Sequence, residues 1–492
     1  MSEAKSKSYR PAQRFGLLLG IALFVLVLVL PPPAGLSAEG WRTAAVALLM
    51  ATWWMTEAIP IEATGLLPLG LFPGLGILDA PTASAPYANE LIFLFMGGFF
   101  LAVTMQRWGL HKRIALAIMA FVGTSANRLV LGFMIATAFL SMWISNTATT
   151  AMMLPIGLAV AEMFRPRDQE GRYEFGIALM LGVAYGASIG GLSTLIGTPP
   201  NAVLAGAASE ILGVQIGFVQ WMGIGLPLSL IMLPLTWLIL TRLLYPPGDL
   251  AGDAASILGA ERAALGKASR GEKITAAVFA LTALAWVLRS EKSFGDVTIP
   301  GIETVFPAVR DSTIAILAVI ALFILPVDWR KGEFTLNWRT ARSIPWGILV
   351  LFGGGLSLAR AMEQSGLAAW IGGAVGSFEA VPMIVVIAAV TTLIVFLTEL
   401  TSNVATTTMA MPVMAGAAVG LGIEPLMLMT AAALSASMAF MLPVATPPNA
   451  IVFGSGYLTV PQMSRAGFVL NLCAIVLITL LGSALIPLVL IG

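Results

Sequence analysis

The 492-residue chain is 58% hydrophobic and only 10% charged, with a formal net charge of +1. Soluble proteins carry roughly 25% charged residues, so this composition excludes a water-facing globular enzyme, and the near-zero charge gives no electrostatic case for nucleic acid. One cysteine (Cys473) and one histidine (His111) exclude disulfide frameworks, zinc clusters and Cys/His nucleophile pairs.

In chain order, Lys5, Lys7, Arg10 and Arg14 precede an apolar run at 15–30. With no small-residue cleavage site after it, this run is expected to be an uncleaved first helix whose basic flank lies in the cytoplasm. Further candidate spans are 41–57, 61–77, 129–164 (interrupted), 175–195 and 222–245. A second set lies at 274–288, 313–325, 382–419 (interrupted), 425–442 and 467–490. These are runs rather than alternating ten-residue segments, which speaks for helices against a barrel.

An internal repeat sets the expected architecture. Residues 95–110 (FMGGFFLAVTMQRWGL) align on 352–367 (FGGGLSLARAMEQSGL) with eight identities in sixteen, at an offset of 257. At the same offset, 145–155 (SNTATTAMMLP) align on 402–412 (SNVATTTMAMP) with seven in eleven. A third pair, TPPNAV at 198–203 and TPPNAI at 446–451, matches in five of six at offset 248. The change of offset coincides with the polar loop at 165–172, which the second half replaces by the tighter turn at 420–424. The expected division is a first helix in 1–35, a first repeat in 36–247, a polar linker in 248–272 and a second repeat in 273–492. Two halves with an odd number of crossings each are inverted relative to one another, the common plan of secondary transporters.

Polar residues gather in the duplicated motifs. Ser145, Asn146 and Thr147, and their counterparts Ser402, Asn403 and Val404, fall in the middle of long apolar runs. Ser, Asn and Thr hydrogen-bond their own backbone and favour an unwound break, which at membrane depth is tolerated only where it lines a cavity. The half-helix after each break points free N–H groups at the gap and favours an anion. The unwound carbonyls suit an alkali cation. The paired prolines 199–200 and 447–448 likewise bar a continuous helix. Gly97-Gly98 and Gly353-Gly354-Gly355 sit in short apolar stretches (91–103 and 348–358) that are expected to form re-entrant hairpins with these glycines at close approach. Glu399 aligns with Met142 and is expected to make a structural hydrogen bond. Arg360, which aligns with Val103, is expected to flank a hairpin.

At these residues the chain resembles the divalent anion/sodium symporter family, which carries di- and tricarboxylates and in some branches sulfate. The resemblance covers both SN motifs, both TPPN breaks and their order. It implies an all-α polytopic membrane protein, not an enzyme, with about eleven transmembrane helices and two re-entrant hairpins. It further implies a homodimer of the inner (plasma) membrane, with a fixed scaffold and a sliding transport domain in each protomer. Carried over residue by residue, one sodium site would involve Ser141, Ser145, Asn146 and Gly197, and the other Thr398, Thr401, Asn403 and Ala445. The substrate carboxylates would meet Asn146, Thr147 and Thr198 on one side and Asn403, Thr446 and Pro447 on the other. Neither motif contains Lys or Arg, so at least two sodium ions are expected to neutralise a dianion, which favours symport over exchange. Val404 departs from the family's frequent SNT. A four-carbon dicarboxylate is the expected substrate, with citrate as the alternative, and a sodium-independent exchanger or an anion channel as further alternatives.

Overall fold

The computed structural model describes residues 11–123, 125–164, 173–248, 254–294, 297–375 and 381–491. The basic residues Lys5, Lys7 and Arg10 and the loop 165–172 fall outside them, as do residues 249–253 of the expected linker. The described chain is helical apart from two small antiparallel ribbons, Lys292–Phe294 with Val297–Ile299 and Pro326–Asp328 with Glu333–Phe334.

Helices α1 (Pro11–Val29) and α2 (Ala38–Thr56) cross antiparallel, so closely that a Cβ on Gly16 would lie 1.9 Å from the Thr56 hydroxyl oxygen. The expected span at 61–77 does not form as one helix. It breaks into α3 (Ile61–Thr64) and α4 (Leu67–Gly74), followed by α5 (Ala80–Ser84). Pro68 falls in the first turn of α4, where its missing N–H costs nothing, and its ring disfavours continuation from the preceding turn. Next come α6 (Glu90–Trp108), α7 (Leu110–Val122), α8 (Ala126–Ser141) and α9 (Asn146–Met163). They lead to α10 (Glu174–Gly191), α11 (Pro199–Leu212) and α12 (Phe218–Leu238), the last of which continues as a π-helical turn, Ile239–Leu244.

The polar linker contains a helix of its own, α13 (Ala254–Leu265), and α14 (Arg270–Arg289) begins within its expected bounds. Ser269 caps α14, accepting from the Glu272 N–H while the Glu272 carboxylate accepts from the Ser269 N–H, so capping chemistry overrides the polar composition. The second half continues through α15 (Ile302–Val305), α16 (Asp311–Ile324), α17 (Trp338–Ala341) and α18 (Trp346–Gln364). It ends with α19 (Leu367–Val375), α20 (Met383–Thr398), α21 (Asn403–Gly420), α22 (Pro425–Ala436), α23 (Pro447–Phe453) and α24 (Val460–Ile486). Among the described residues, six helical stretches are long and apolar enough to cross a membrane, and four shorter apolar helices accompany them.

The repeat is visible in the element boundaries: α8 and α9 map onto α20 and α21 residue for residue at offset 257. The glycine clusters are not hairpin tips. Gly97 and Gly98 lie inside the continuous helix α6, and Gly353–Gly355 inside α18. Each of these helices has 19 residues and so reaches about 28 Å, the length of a full span. Their glycines serve close packing instead. A Cβ on Gly97 would lie 2.6 Å from that of Ala315, and one on Gly354 would lie 2.2 Å from the Gly65 carbonyl oxygen. The tight turns fall at Gly109 and Gly366, at φ of 74° and 77°, which suit glycine.

The hairpins are α8–α9 and α20–α21. Helix α8 runs parallel to α10, with Gly182, Gly186 and Gly190 facing Val130 and Met134, Met134, and Ala138 in turn. Helix α9 runs the other way along α10: Gly191 meets Asn146, while Tyr173 just ahead of α10 donates to the Ala161 carbonyl at the far end of α9. Helices α8 and α9 are therefore antiparallel, and Ser145-Asn146 sits at their turn. Helix α10 is buried from Phe175 to Gly191, which explains why it is apolar on every side.

Candidate functional site

In the first repeat, α8 ends at Ser141 and α9 begins at Asn146. Ser145 caps α9, its hydroxyl accepting from the Ala148 N–H at 3.4 Å. The Ser141 hydroxyl donates to Asn146 Oδ1 at 2.6 Å, placing two hard oxygens side by side. Facing them is the break between α10 and α11. A Cβ on Gly191 would lie 2.5 Å from Asn146 Oδ1, and a Cβ on Gly197 would lie 2.4 Å from the Gly191 carbonyl oxygen. Only glycine allows this approach. Asn201 Nδ2 pins the break by donating to the carbonyls of Gly191 at 3.0 Å and Thr194 at 2.7 Å. The Thr194 hydroxyl in turn donates to the Met142 carbonyl of the hairpin tip at 2.5 Å. Thr198, 3% exposed, is the extended residue that precedes α11, and its side chain makes no capping hydrogen bond.

The second repeat reproduces this network. Thr398 Oγ1 lies 2.7 Å from Asn403 Oδ1 and 2.9 Å from the Ala436 carbonyl oxygen. Asn449 Nδ2 donates to the carbonyls of Ala439 at 3.2 Å and Leu442 at 3.0 Å, the equivalents at offset 248 of Gly191 and Thr194. Thr446 caps α23, accepting from the Asn449 N–H at 3.3 Å, and the Ala445 N–H donates to the Leu442 carbonyl at 3.2 Å. Thr401 donates to the Leu397 carbonyl and lies 2.6 Å from the Thr406 hydroxyl oxygen. Glu399, 3% exposed, accepts from the amides of Phe440, Met441 and Leu442 and from Asn471 Nδ2 at 2.7–3.2 Å.

The network joins Ser141, Asn146 and Gly197 in one cluster and Thr398 with Asn403 in another. Ser145, Asn146, Ser402 and Asn403 are half-buried and Thr446 is buried, whereas Thr147 and Pro447 are exposed. Asn201 and Asn449 lie within the TPPN motifs, where the sequence marks them only by their duplication in an otherwise apolar context. The Oδ1 atoms of both are buried without a hydrogen-bond partner among the described residues, as are the hydroxyls of Thr149, Thr150, Ser188 and Ser437.

The repeats interlock, with α11 packing on α21 and α23 on α9. Pro199 and Val404, at the starts of α11 and α21, line one apolar crevice with Phe95, Phe352, Ile348 and Leu349. Phe95 and Phe352 are repeat equivalents whose ring centres lie 6.3 Å apart. Arg360 lies away from the motifs and pairs with Glu210 of α11, which ties α18 to that helix. His111 packs against the Met105 carbonyl at 2.9 Å.

The family model described as "Sodium:sulfate symporter transmembrane region" matches residues 12–491. A relative named sodium-dependent dicarboxylate transporter SdcS, from Staphylococcus saprophyticus, is 43% identical over 498 residues, covering 99% of this chain and 94% of its own. Its namesake from Staphylococcus aureus is 42% identical with the same coverage. The solved structure of the Alcanivorax borkumensis YdaH transporter, described as having an unusual topology, matches with a TM-score of 0.57 at 16% identity over 96% of each chain, a likeness of fold.

Proposed function

The chain belongs to the sodium:sulfate symporter family, and on that premise we propose that it is a sodium-coupled symporter of dicarboxylates of the succinate, malate and fumarate class. The observation that carries this is the duplicated network: Ser141–Asn146 with Asn201, and Thr398–Asn403 with Asn449, repeated at the same offsets. Sodium at Ser141, Ser145, Asn146 and Gly197, and at Thr398, Thr401, Asn403 and Ala445, supplies the charge that no Lys or Arg provides. The substrate carboxylates meet Asn146, Thr147 and Thr198, and Asn403, Thr446 and Pro447. The N-terminal ends of α9, α11 and α21 add their dipoles to this recognition.

Alternating access follows an elevator cycle in a homodimer of the plasma membrane, with the N-terminus in the cytoplasm and about eleven crossings in two inverted repeats. A bulkier tricarboxylate such as citrate is the second reading, because Val404 lacks the hydroxyl that Thr147 offers at the equivalent position of the first repeat. Uptake of labelled succinate into proteoliposomes tests the proposal: it should require an inward sodium gradient, and equal uptake in potassium alone would overturn symport. Citrate outcompeting succinate would favour the second reading.

A further inference from the structure

The corner between α11 and α12 carries an arrangement that the transport motifs do not use. Asp311, 7% exposed at the start of α16, accepts from the Phe218 N–H at 2.9 Å and so caps α12 across the fold. Its other oxygen accepts from Arg289 Nε at 2.6 Å, and Arg289 is held in turn by Glu303 at 2.8 Å. Gly217 makes room for this, because a Cβ there would lie 2.9 Å from the Arg289 guanidinium. Trp286 of α14 donates to the Asp311 carbonyl at 3.0 Å.

Both walls of the first SN/TPPN cluster lean on this capped end of α12. From the hairpin tip, Trp143 stacks at 6.1 Å on Phe218, which stacks at 4.5 Å on Trp286. From the break, the Leu192 carbonyl accepts from Trp221 Nε1 of α12 at 2.9 Å. The capping carboxylate is thus one step from the tip and one helical turn from the break. The second repeat lacks this support at its tip, since the equivalent of Trp143 is Leu400, which is 73% exposed.

We propose that Asp311, braced by Arg289, is a positioning residue for the first cation site: by anchoring the N-terminal end of α12 it sets the spacing between the Ser145-Asn146 tip and the 191–197 break. This rests on the proposal that sodium binds there. Ligand oxygens must be held to within about 0.5 Å for a site to work, so releasing the anchor weakens sodium binding even where no ligand is removed.

The test uses the full-length protein and sodium chloride against choline chloride, reading thermal stabilisation without substrate and the sodium dependence of uptake in proteoliposomes. Asp311→Asn should raise half-saturating sodium about fivefold or more, with the substrate KM at saturating sodium unchanged. Asp311→Glu, which keeps the charge, should restore most of the sodium affinity. Trp221→Phe should shift sodium dependence the same way, and combining it with Asp311→Asn should give less than the product of the single effects, because both act through α12. If Asp311→Asn does not fold, Arg289→Gln and Trp221→Phe make the same test. Wild-type sodium dependence in the folded variants, or multiplicative effects in the double variant, would overturn the proposal. Asn146→Ala separates the two levels. If it keeps full sodium stabilisation, the assignment of the cation site fails. If it loses that stabilisation while Asp311→Asn does not, only the anchor fails.

Discussion

The two repeats carry the same polar network in different surroundings. The first is assembled by close approach: Gly190, Gly191 and Gly197 let backbones meet, and a Cβ on Gly190 would lie 2.2 Å from the Ala138 carbonyl oxygen. The second is held by a carboxylate, with Glu399 gathering three successive amides of the unwound segment where the first repeat has Met142. Their tips differ as well. Trp143 packs against Phe218 and Phe279, whereas Leu400 is exposed. Duplication therefore preserved the hydrogen bonds that shape the two clusters, while the means of holding each cluster in place diverged.

Substitutions at matched positions test how far the two repeats work alike, and the strongest loss should come where their hydrogen bonds coincide. Asn146→Ala and Asn403→Ala should each abolish succinate uptake while leaving folded protein, and normal transport by both would refute the site. Next is Glu399→Ala. It strands three amides and Asn471, each of which loses a hydrogen bond to a charged acceptor worth about 1.5–3 kcal/mol, so thermal unfolding in detergent should fall steeply. The matched change Met142→Ala should cost only about 1–3 kcal/mol, since it deletes partly buried apolar volume and orphans nothing. Equal losses would show that Glu399 holds no special place.

Gly190→Ala should follow, because the added methyl must push α10 away from α8. Overpacking of this kind costs about 1–3 kcal/mol, and the sodium dependence should weaken with the melting temperature. Val404→Thr should have a smaller effect. It restores the hydroxyl of the first repeat beside the apolar crevice and should move preference towards smaller dicarboxylates. Unchanged competition between succinate and citrate would remove Val404 from specificity. Leu400→Ala should have the smallest effect on stability, within about 0.5 kcal/mol for an exposed side chain.

Much of this was legible because membrane-depth polar residues are rare, so their duplication stands out. The SN and TPPN motifs, their offsets and the breaks at Ser145 and Thr198 follow from the weak helix propensity of Ser, Asn and Thr and from paired prolines. The place of the hairpin turn was not legible. Gly97-Gly98 in a short apolar stretch is expected at a hairpin tip, and the contact with Ala315 that shows it to be a packing face instead lies over 200 positions away in the chain. The span at 61–77 failed for a local reason, Pro68, which apolar composition outweighed in the reading. The roles of Asn201 and Asn449 depend on which carbonyls their amides reach, and spacing alone does not contain that.

Apolar length, periodicity and helix-breaking residues are local properties, so a helical membrane protein of two related halves, each with two breaks, is legible from the chain alone. The tertiary fold alone reveals which segments turn back as hairpins, that Glu399 holds one break and glycines the other, and that Asp311 caps α12. Those outcomes depend on which backbones approach within a few ångströms, and such distances are set by the packing of elements far apart in the chain.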